Sequence, residues 1–196
     1  MTHLPSSPRV SKGAFVRFMP ESPGGLIIKF QYNPEQIYRR LEAPSNEHEL
    51  PIETISFVLS LDAAEDLESP EQHQNTVESG IYPSMSALEM LMYPNAVKRK
   101  QVDITSPAVD DDKSLTLFIW GNKRIVPVQV MELYINEEAF DLALNPLRAT
   151  VALKMRVLND SDLPRDHKAH EYWKTYVAKK IDMTKTAYAP AGHLTP

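Results

Sequence analysis

The stretch Leu115-Thr116-Leu117-Phe118-Ile119-Trp120-Gly121-Asn122-Lys123-Arg124 leads into two further strand-like segments that continue to Leu158. Apolar residues recur at every second position on either side of short turn signals, which is the pattern of β-strands joined by tight turns. The region therefore predicts a hairpin followed by a long strand. It contains no nucleophile motif, metal cluster or phosphate loop, so we expect scaffold and interface here.

The last of these strands has the clearest alternation of apolar and polar residues, as a half-buried strand requires. Its predicted core face consists of Val151, Leu153, Met155 and Val157, and its other face of Thr150, Lys154 and Arg156. The strand follows an Asn145-Pro146 turn. Arg148 stands just after that turn, where its guanidinium could tie the turn to a carboxylate or to carbonyl oxygens, within the subunit or across an interface.

Strands also dominate the first sixty residues. Alternation predicts a hairpin around Pro23-Gly24-Gly25, a short strand over residues 36–41 and a strong strand over residues 52–61. In the segment around Val126 the apolar phase slips just beyond Pro127, and such a slip predicts a β-bulge. Because proline donates no ladder hydrogen bond, Pro127 itself predicts an edge or bulge position.

One internal helix is predicted to begin near Ser84 or Ser86, either of which could cap it, and to stop at Pro94. Its apolar side would carry Met85, Leu88, Leu91 and Met92. The acidic stretch 62–79 before it is predicted to be an exposed loop.

After Leu158 a polar linker leads into a segment with helical spacing that runs to about residue 186. One stripe of this helix would contain Ala169, Trp173, Tyr176, Val177, Lys180 and Ile181. Two alternatives stay open: the helix packs on its own sheet, or it docks on a neighbouring subunit. In the second case the partner interface would include Trp173, Tyr176, Val177 and Ile181, with Arg148 as a further candidate.

Composition limits the possible functions. The 196 residues are 42% hydrophobic, contain no cysteine and carry a formal net charge of −5. With no apolar secretory segment at the start and no run of about 18 apolar residues, we expect a cytoplasmic protein without direct membrane insertion. A negative chain is a poor nucleic-acid binder, and we interpret the run Lys98-Arg99-Lys100 as a solvated helix end rather than a nucleic-acid or lipid contact.

The sequence contains no recognisable catalytic, cofactor-binding or metal-ligating set of residues. His167 and His170 could face one way on the terminal helix, but the neighbourhood lacks further zinc ligands. The acidic run Asp110-Asp111-Asp112 lacks the spacing of a calcium loop. We therefore expect no enzymatic activity and no cofactor or metal.

The order of several short motifs resembles one family. These are the segment 30–35 (Phe-Gln-Tyr-Asn-Pro-Glu), the strand over residues 55–62, Trp120-Gly121, and Pro146-Leu147-Arg148-Ala149 before an alternating strand. Over residues 13–159 the chain is similar to the tube-domain, or baseplate hub adaptor, proteins of contractile injection systems, which are phage-tail-like particles. Such proteins commonly end in a LysM module, and no such module is recognisable here.

The resemblance implies a structural role in the baseplate, where the chain would adapt the inner tube and spike hub to the surrounding baseplate proteins. It implies partners in the spike hub, inner tube and baseplate, and six copies around the particle axis. The particle would be assembled in the cytoplasm of a producing bacterium, as an injection system or a virion. An inner-tube ring protein is the alternative, and a small-ligand-binding β-barrel protein is a third class.

We expect a mainly β (α+β) fold, either a tube-like β-barrel or two packed antiparallel sheets, with one internal helix and a C-terminal helix. The predicted organisation is a flexible arm over residues 1–12, a tube-like β domain over 13–159, a helical docking segment over 160–187 and a tail over 188–196.

Overall fold

The computed structural model describes residues 11–19, 22–46, 49–93, 115–163 and 166–187. The strands are β1 (Ala14–Met19), β2 (Ser22–Lys29), β3 (Ile37–Glu42), β4 (Ile52–Asp62), β5 (Leu115–Trp120), β6 (Arg124–Phe140) and β7 (Pro146–Val157). The helices are α1 (Ala64–Leu67), α2 (Gln74–Ser79), α3 (Tyr82–Glu89) and α4 (Ala169–Ala187). The basic run 98–100, the acidic run 110–112, the tail 188–196 and most of the predicted arm lie outside the described residues.

The strands form one antiparallel sheet in the order β2-β1-β5-β6-β7-β4-β3. The mainly β prediction is confirmed. The closed-barrel alternative is wrong, because among the described residues β2 and β3 stand at the two ends of the strand order and do not pair with each other. The sheet is therefore open, with β2 and β3 as its edge strands.

The core explains how an open sheet buries its apolar face. The ring of Phe15 on β1 lies 6.4 Å from the ring of Phe57 on β4, although three strands separate β1 from β4 in the sheet. Phe118 and Phe30 complete the cluster, with ring centroids 5.5 Å and 5.6 Å from Phe57. The sheet must curl so that its two halves face each other, and aromatic packing fills the space between them.

Strands β4 and β7 form the middle of the second half of the sheet. Phe57 pairs with Leu153, and Leu59 pairs with Val151, so the apolar phases of the two strands coincide. All four side chains are buried. The predicted core face of β7 is confirmed, and Ile55, Phe57, Leu59 and Leu61 of β4 are buried beside it.

Strand β6 changes partner along its length, since its first residues pair with β5 and residues from Val128 onward pair with β7. The register with β7 shifts between Val130 and Glu132, which confirms the predicted bulge. Pro127, however, is not on an edge. It pairs with Leu117 on β5, and its carbonyl oxygen accepts a hydrogen bond from the Leu158 amide.

The prediction of an exposed loop over residues 62–79 is wrong, because α1 and α2 lie there. The Asp62 carboxylate accepts a hydrogen bond from the Ala64 amide and so satisfies a free donor at the start of α1. Neither α1 nor α2 contributes a buried residue. Apolar periodicity, the main sequence signal for a helix, is therefore weak in this segment.

Helix α3 begins at Tyr82, before both predicted serine caps. Pro83 fits its first turn because no intrahelical partner is needed for an amide there. Met85, Leu88 and Leu91 are buried as predicted, whereas Met92 is exposed, so its assignment to the apolar side is wrong. The Arg17 guanidinium on β1 donates to the Met90 and Tyr93 carbonyl oxygens and holds the end of α3 against the sheet.

Candidate functional site

A buried carboxylate joins the C-terminal helix to the sheet. Glu53 on β4 accepts hydrogen bonds at Oε1 from Tyr176 Oη (2.8 Å) and from Arg39 Nε (2.8 Å), and at Oε2 from Lys180 Nζ (2.7 Å). Lys180 Nζ also lies 4.1 Å from the centroid of the Tyr176 ring. We call these four residues the Glu53 cluster. Strands β3 and β4 and helix α4 all contribute to it.

Electrostatics favours the ionised form of Glu53. Burial opposes its ionisation, but hydrogen bonds from Lys180, Arg39 and Tyr176 outweigh this effect and lower the pKa of Glu53 below its usual range. Burial, together with the charge of Glu53, raises the pKa of Tyr176. The phenol thus stays protonated and donates to the carboxylate at neutral pH.

A cleft opens beside this cluster and carries an excess of positive charge. Its cavity volume is about 260 Å³. The lining residues are Arg39, Trp120, Lys123, Arg124, Tyr176, Lys180 and Met183. Four of them are cations, and Glu53 is the carboxylate that pairs with two of these. We call this surface the basic cleft; it offers charged groups on an aromatic and apolar wall.

Negative charge is concentrated at the opposite end of β4. Residues 63–80, which include α1 and α2, contain five Asp or Glu residues and no Lys or Arg. Glu65, Glu68 and Glu71 are exposed. Beside them, Arg148 Nε on β7 lies 2.9 Å from Asp62 Oδ2, so the predicted tie from Arg148 to a carboxylate exists within the subunit.

The turn between β6 and β7 lies at the same end and presents apolar side chains on an ordered loop. Asp141 Oδ1 accepts hydrogen bonds from the Ala143 and Asn145 amides, and the Asn145 side chain donates to Asp141 Oδ2. These bonds, with the Asn145 side chain first, lower the pKa of Asp141. Leu142 and Leu144 are 107% and 75% exposed on this turn. We call the turn between β6 and β7, together with residues 63–80, the acidic end.

The structure separates the predicted interface residues. Tyr176 is buried in the subunit's own core and Trp173 packs against that core, so this part of α4 follows the own-sheet alternative. Tyr176 therefore lies inside the subunit and not on a docking face. Val177 is half-buried, and Ile181 and Arg148 are exposed. For the exposed residues the partner interface stays a prediction.

Glu53 is not among the site residues predicted from the sequence, although the sequence contains a signal for it. Glu53 stands in phase with Ile55, Phe57 and Leu59, so the alternation of β4 places a carboxylate on the core face. A carboxylate on a core face needs partners, because an unpaired buried charge is very unfavourable. Tyr176 and Lys180 are four residues apart on α4, and such residues share one face of a helix.

The two histidines near the start of the terminal helix serve local structure. His170 Nδ1 lies 2.5 Å from Asp160 Oδ1, and His167 Nδ1 accepts a hydrogen bond from the Ala169 amide. Within the described ranges, no group of three or more His, Asp or Glu residues is placed to hold a metal ion.

Tyr176→Phe tests the hydrogen bond between the helix and Glu53. Losing one hydrogen bond to a buried carboxylate should lower the free energy of unfolding by about 1.5 to 3 kcal/mol, measured by urea denaturation. Tyr172→Phe is the matched control, because Tyr172 lies on the same helix and is half-buried against the small apolar cluster of Leu115, Leu117 and Ala169. Equal stability of the two variants would contradict a role for the Tyr176 hydroxyl.

Comparisons with known proteins give no family assignment: no protein-family model matches the chain, and no curated protein matches its sequence significantly. Across the part of the chain that the structure describes, no helix combines the length and apolar character needed to cross a membrane.

Proposed function

We propose that this protein is a structural baseplate component of a contractile injection system or phage-tail-like particle. In this role it adapts the inner tube and spike hub to the surrounding baseplate proteins. Two observations support the proposal: the order of the short motifs along residues 13–159, and the geometry of the sheet. An inner-tube ring protein of the same kind of particle is the alternative.

The observation that carries the proposal is the open sheet with two edge strands. Within the described residues, β3 pairs on one side only, with β4, and β2 pairs on one side only, with β1. An unpaired strand edge can accept a strand from another subunit, and main-chain hydrogen bonds then give affinity. Tyr38 and Leu41 on β3 are 63% and 56% exposed, which leaves apolar side chains for such a contact.

The small-ligand class receives less support from this geometry. A ligand-binding barrel needs an enclosed interior with converging polar groups. In the described fold the sheet is open, and phenylalanine rings fill the space between its two halves. We therefore favour assembly over ligand transport.

The test is to purify particles from producing cells and to quantify this chain against the sheath by mass spectrometry. We expect a constant copy number near six per particle for an adaptor. For a tube ring protein, the copy number should rise in proportion to particle length. The absence of the chain from particles, together with intact particles in a deletion strain, would exclude both roles.

A further inference from the structure

The two ends of β4 differ in charge. Glu53, which pairs with two cations of the basic cleft, and Asp62, which directly precedes the acidic end, are nine residues apart on one strand. At the rise of an extended strand this places them about 30 Å apart. The separation exceeds the Debye length of about 8 Å at physiological ionic strength, so each end presents its own field to solvent.

The basic cleft contains more cationic side chains than Glu53 pairs with. Glu53 pairs with Arg39 and Lys180, whereas Lys123 and Arg124 form no ion pair with any described residue. Lys179 donates to the Asn122 carbonyl oxygen and brings a further cation to the same turn. Trp120 and Met183 add apolar surface to the wall. The cleft therefore suits a partner that carries carboxylates next to apolar side chains.

The acidic end carries carboxylates next to apolar side chains. Glu65, Glu68 and Glu71 are exposed and form no ion pair with any described residue. Leu142 and Leu144 project from the neighbouring turn, which the hydrogen bonds of Asp141 hold in place. Asn145 also donates to the Glu78 carbonyl oxygen at the end of α2, so the turn and the acidic helices form one continuous surface.

We infer that copies of this chain associate head to tail, with the acidic end of one copy seated in the basic cleft of the next. Carboxylates would pair with Lys123 and Arg124, and an exposed leucine of the turn would contact Trp120 and Met183. Such a contact joins two different surfaces of the same chain, so repetition closes a ring or extends a filament. This inference rests on the proposed assembly role and specifies one of its contacts.

A second copy fits the cleft better than a nucleic acid does. A polyanion would meet the cleft but also a chain whose net charge is −5. It would leave the exposed leucines of the acidic end without a partner. Head-to-tail association satisfies both ends at once, and it disfavours the head-to-head arrangement, in which like charges meet.

Analytical ultracentrifugation of the full chain at low and high salt tests the inference with paired charge reversals. We expect wild type to self-associate at low salt and to dissociate at about 1 M salt, where the Debye length falls to about 3 Å. Lys123→Glu with Arg124→Glu, or Glu68→Lys with Glu71→Lys, should weaken association at least about tenfold. Mixing the two variants should restore it, because each then offers the charge that the other needs.

Lys154→Glu is the control, because it reverses a charge on the central strand β7, outside both surfaces and away from the sheet edges, and it should associate like wild type. The absence of native cysteine allows a second measurement. With a short bismaleimide cross-linker, a chain carrying Lys123→Cys and Glu68→Cys should form a ladder of oligomers. Chains with one of these cysteines should give no ladder.

Several results would overturn the inference: a monomer at every salt concentration, equal loss in Lys154→Glu, or no restoration on mixing. Binding of an acidic peptide or nucleic acid without self-association would also overturn it. These failures differ from failure of the proposed function, because a monomeric chain could still occur in purified particles. Conversely, a chain absent from particles could still associate head to tail in solution.

Discussion

Leu153→Ala is expected to lower the free energy of unfolding by about 2 to 5 kcal/mol, as measured by chemical denaturation followed by circular dichroism. Leu153 is 2% exposed. It lies on β7 opposite Phe57 of β4 and Leu133 of β6, in the middle of three paired strands. Truncation leaves a cavity that paired neighbours on both sides cannot readily close, which places the expected loss well above that of an average substitution.

Leu142→Ala is the matched control, since it makes the same chemical change on a side chain that is fully exposed. We expect a stability change within about 0.5 kcal/mol. A loss at Leu142 as large as that at Leu153 would show that leucine truncation acts through something other than core packing. An unchanged denaturation midpoint for Leu153→Ala would remove Leu153 from the core.

Glu53→Gln is expected to lower the free energy of unfolding by about 3 kcal/mol at neutral pH. The substitution keeps the shape of the side chain but removes the charge that Arg39 and Lys180 require. We place the loss at the lower end of the range for buried ion pairs, because the side chains of Arg39 and Lys180 are 31% and 35% exposed and can regain water. Glu132→Gln, which breaks an exposed pair with Lys154, should cost less than about 1 kcal/mol.

Glu53→Gln also gives a prediction for the pH dependence of stability. The pKa of Glu53 is lowered in the folded protein, so the unfolded state binds more protons as the pH falls through the ordinary glutamate value of about 4.3. The stability that Glu53 contributes is thus present above that pH and is lost as the pH falls through the folded pKa. The difference between wild type and Glu53→Gln should shrink on acidification. A difference that stays constant down to acid unfolding would contradict the ionised cluster.

Period-two alternation gave reliable predictions wherever one face of a strand is buried. In β7, and in β4 from Ile55 onward, every second side chain is apolar and enters the core, so the strands and their faces could be derived from residues such as Phe57 and Leu153. The bulge in β6 could also be predicted, because a one-residue insertion reverses the apolar phase after Pro127.

The features that could not be predicted from the sequence depend on contacts between residues that are distant along the chain. Alternation cannot distinguish a closed barrel from a curled open sheet, since in both the core strands bury one face. Helices α1 and α2 bury no side chain and so leave no periodic apolar signal. The acidic end and the basic cleft escaped prediction for another reason. Their charges come from segments as distant as Glu68 and Asp141, or Arg39 and Lys180, that only the folded chain brings together.

The aromatic cluster also determines when this chain can fold during synthesis. Phe15 and Phe30 are made early, but Phe118 lies about a hundred residues later, and β5 is the strand that covers the second side of β1. Until that strand leaves the ribosome, β1 and β2 form a lone hairpin with an open apolar face, which is marginally stable in water. Contacts between residues so far apart in sequence slow folding and prolong the exposure of apolar surface. Rapid overproduction should therefore favour aggregation of nascent chains, and slower translation at low temperature should increase the yield of folded protein.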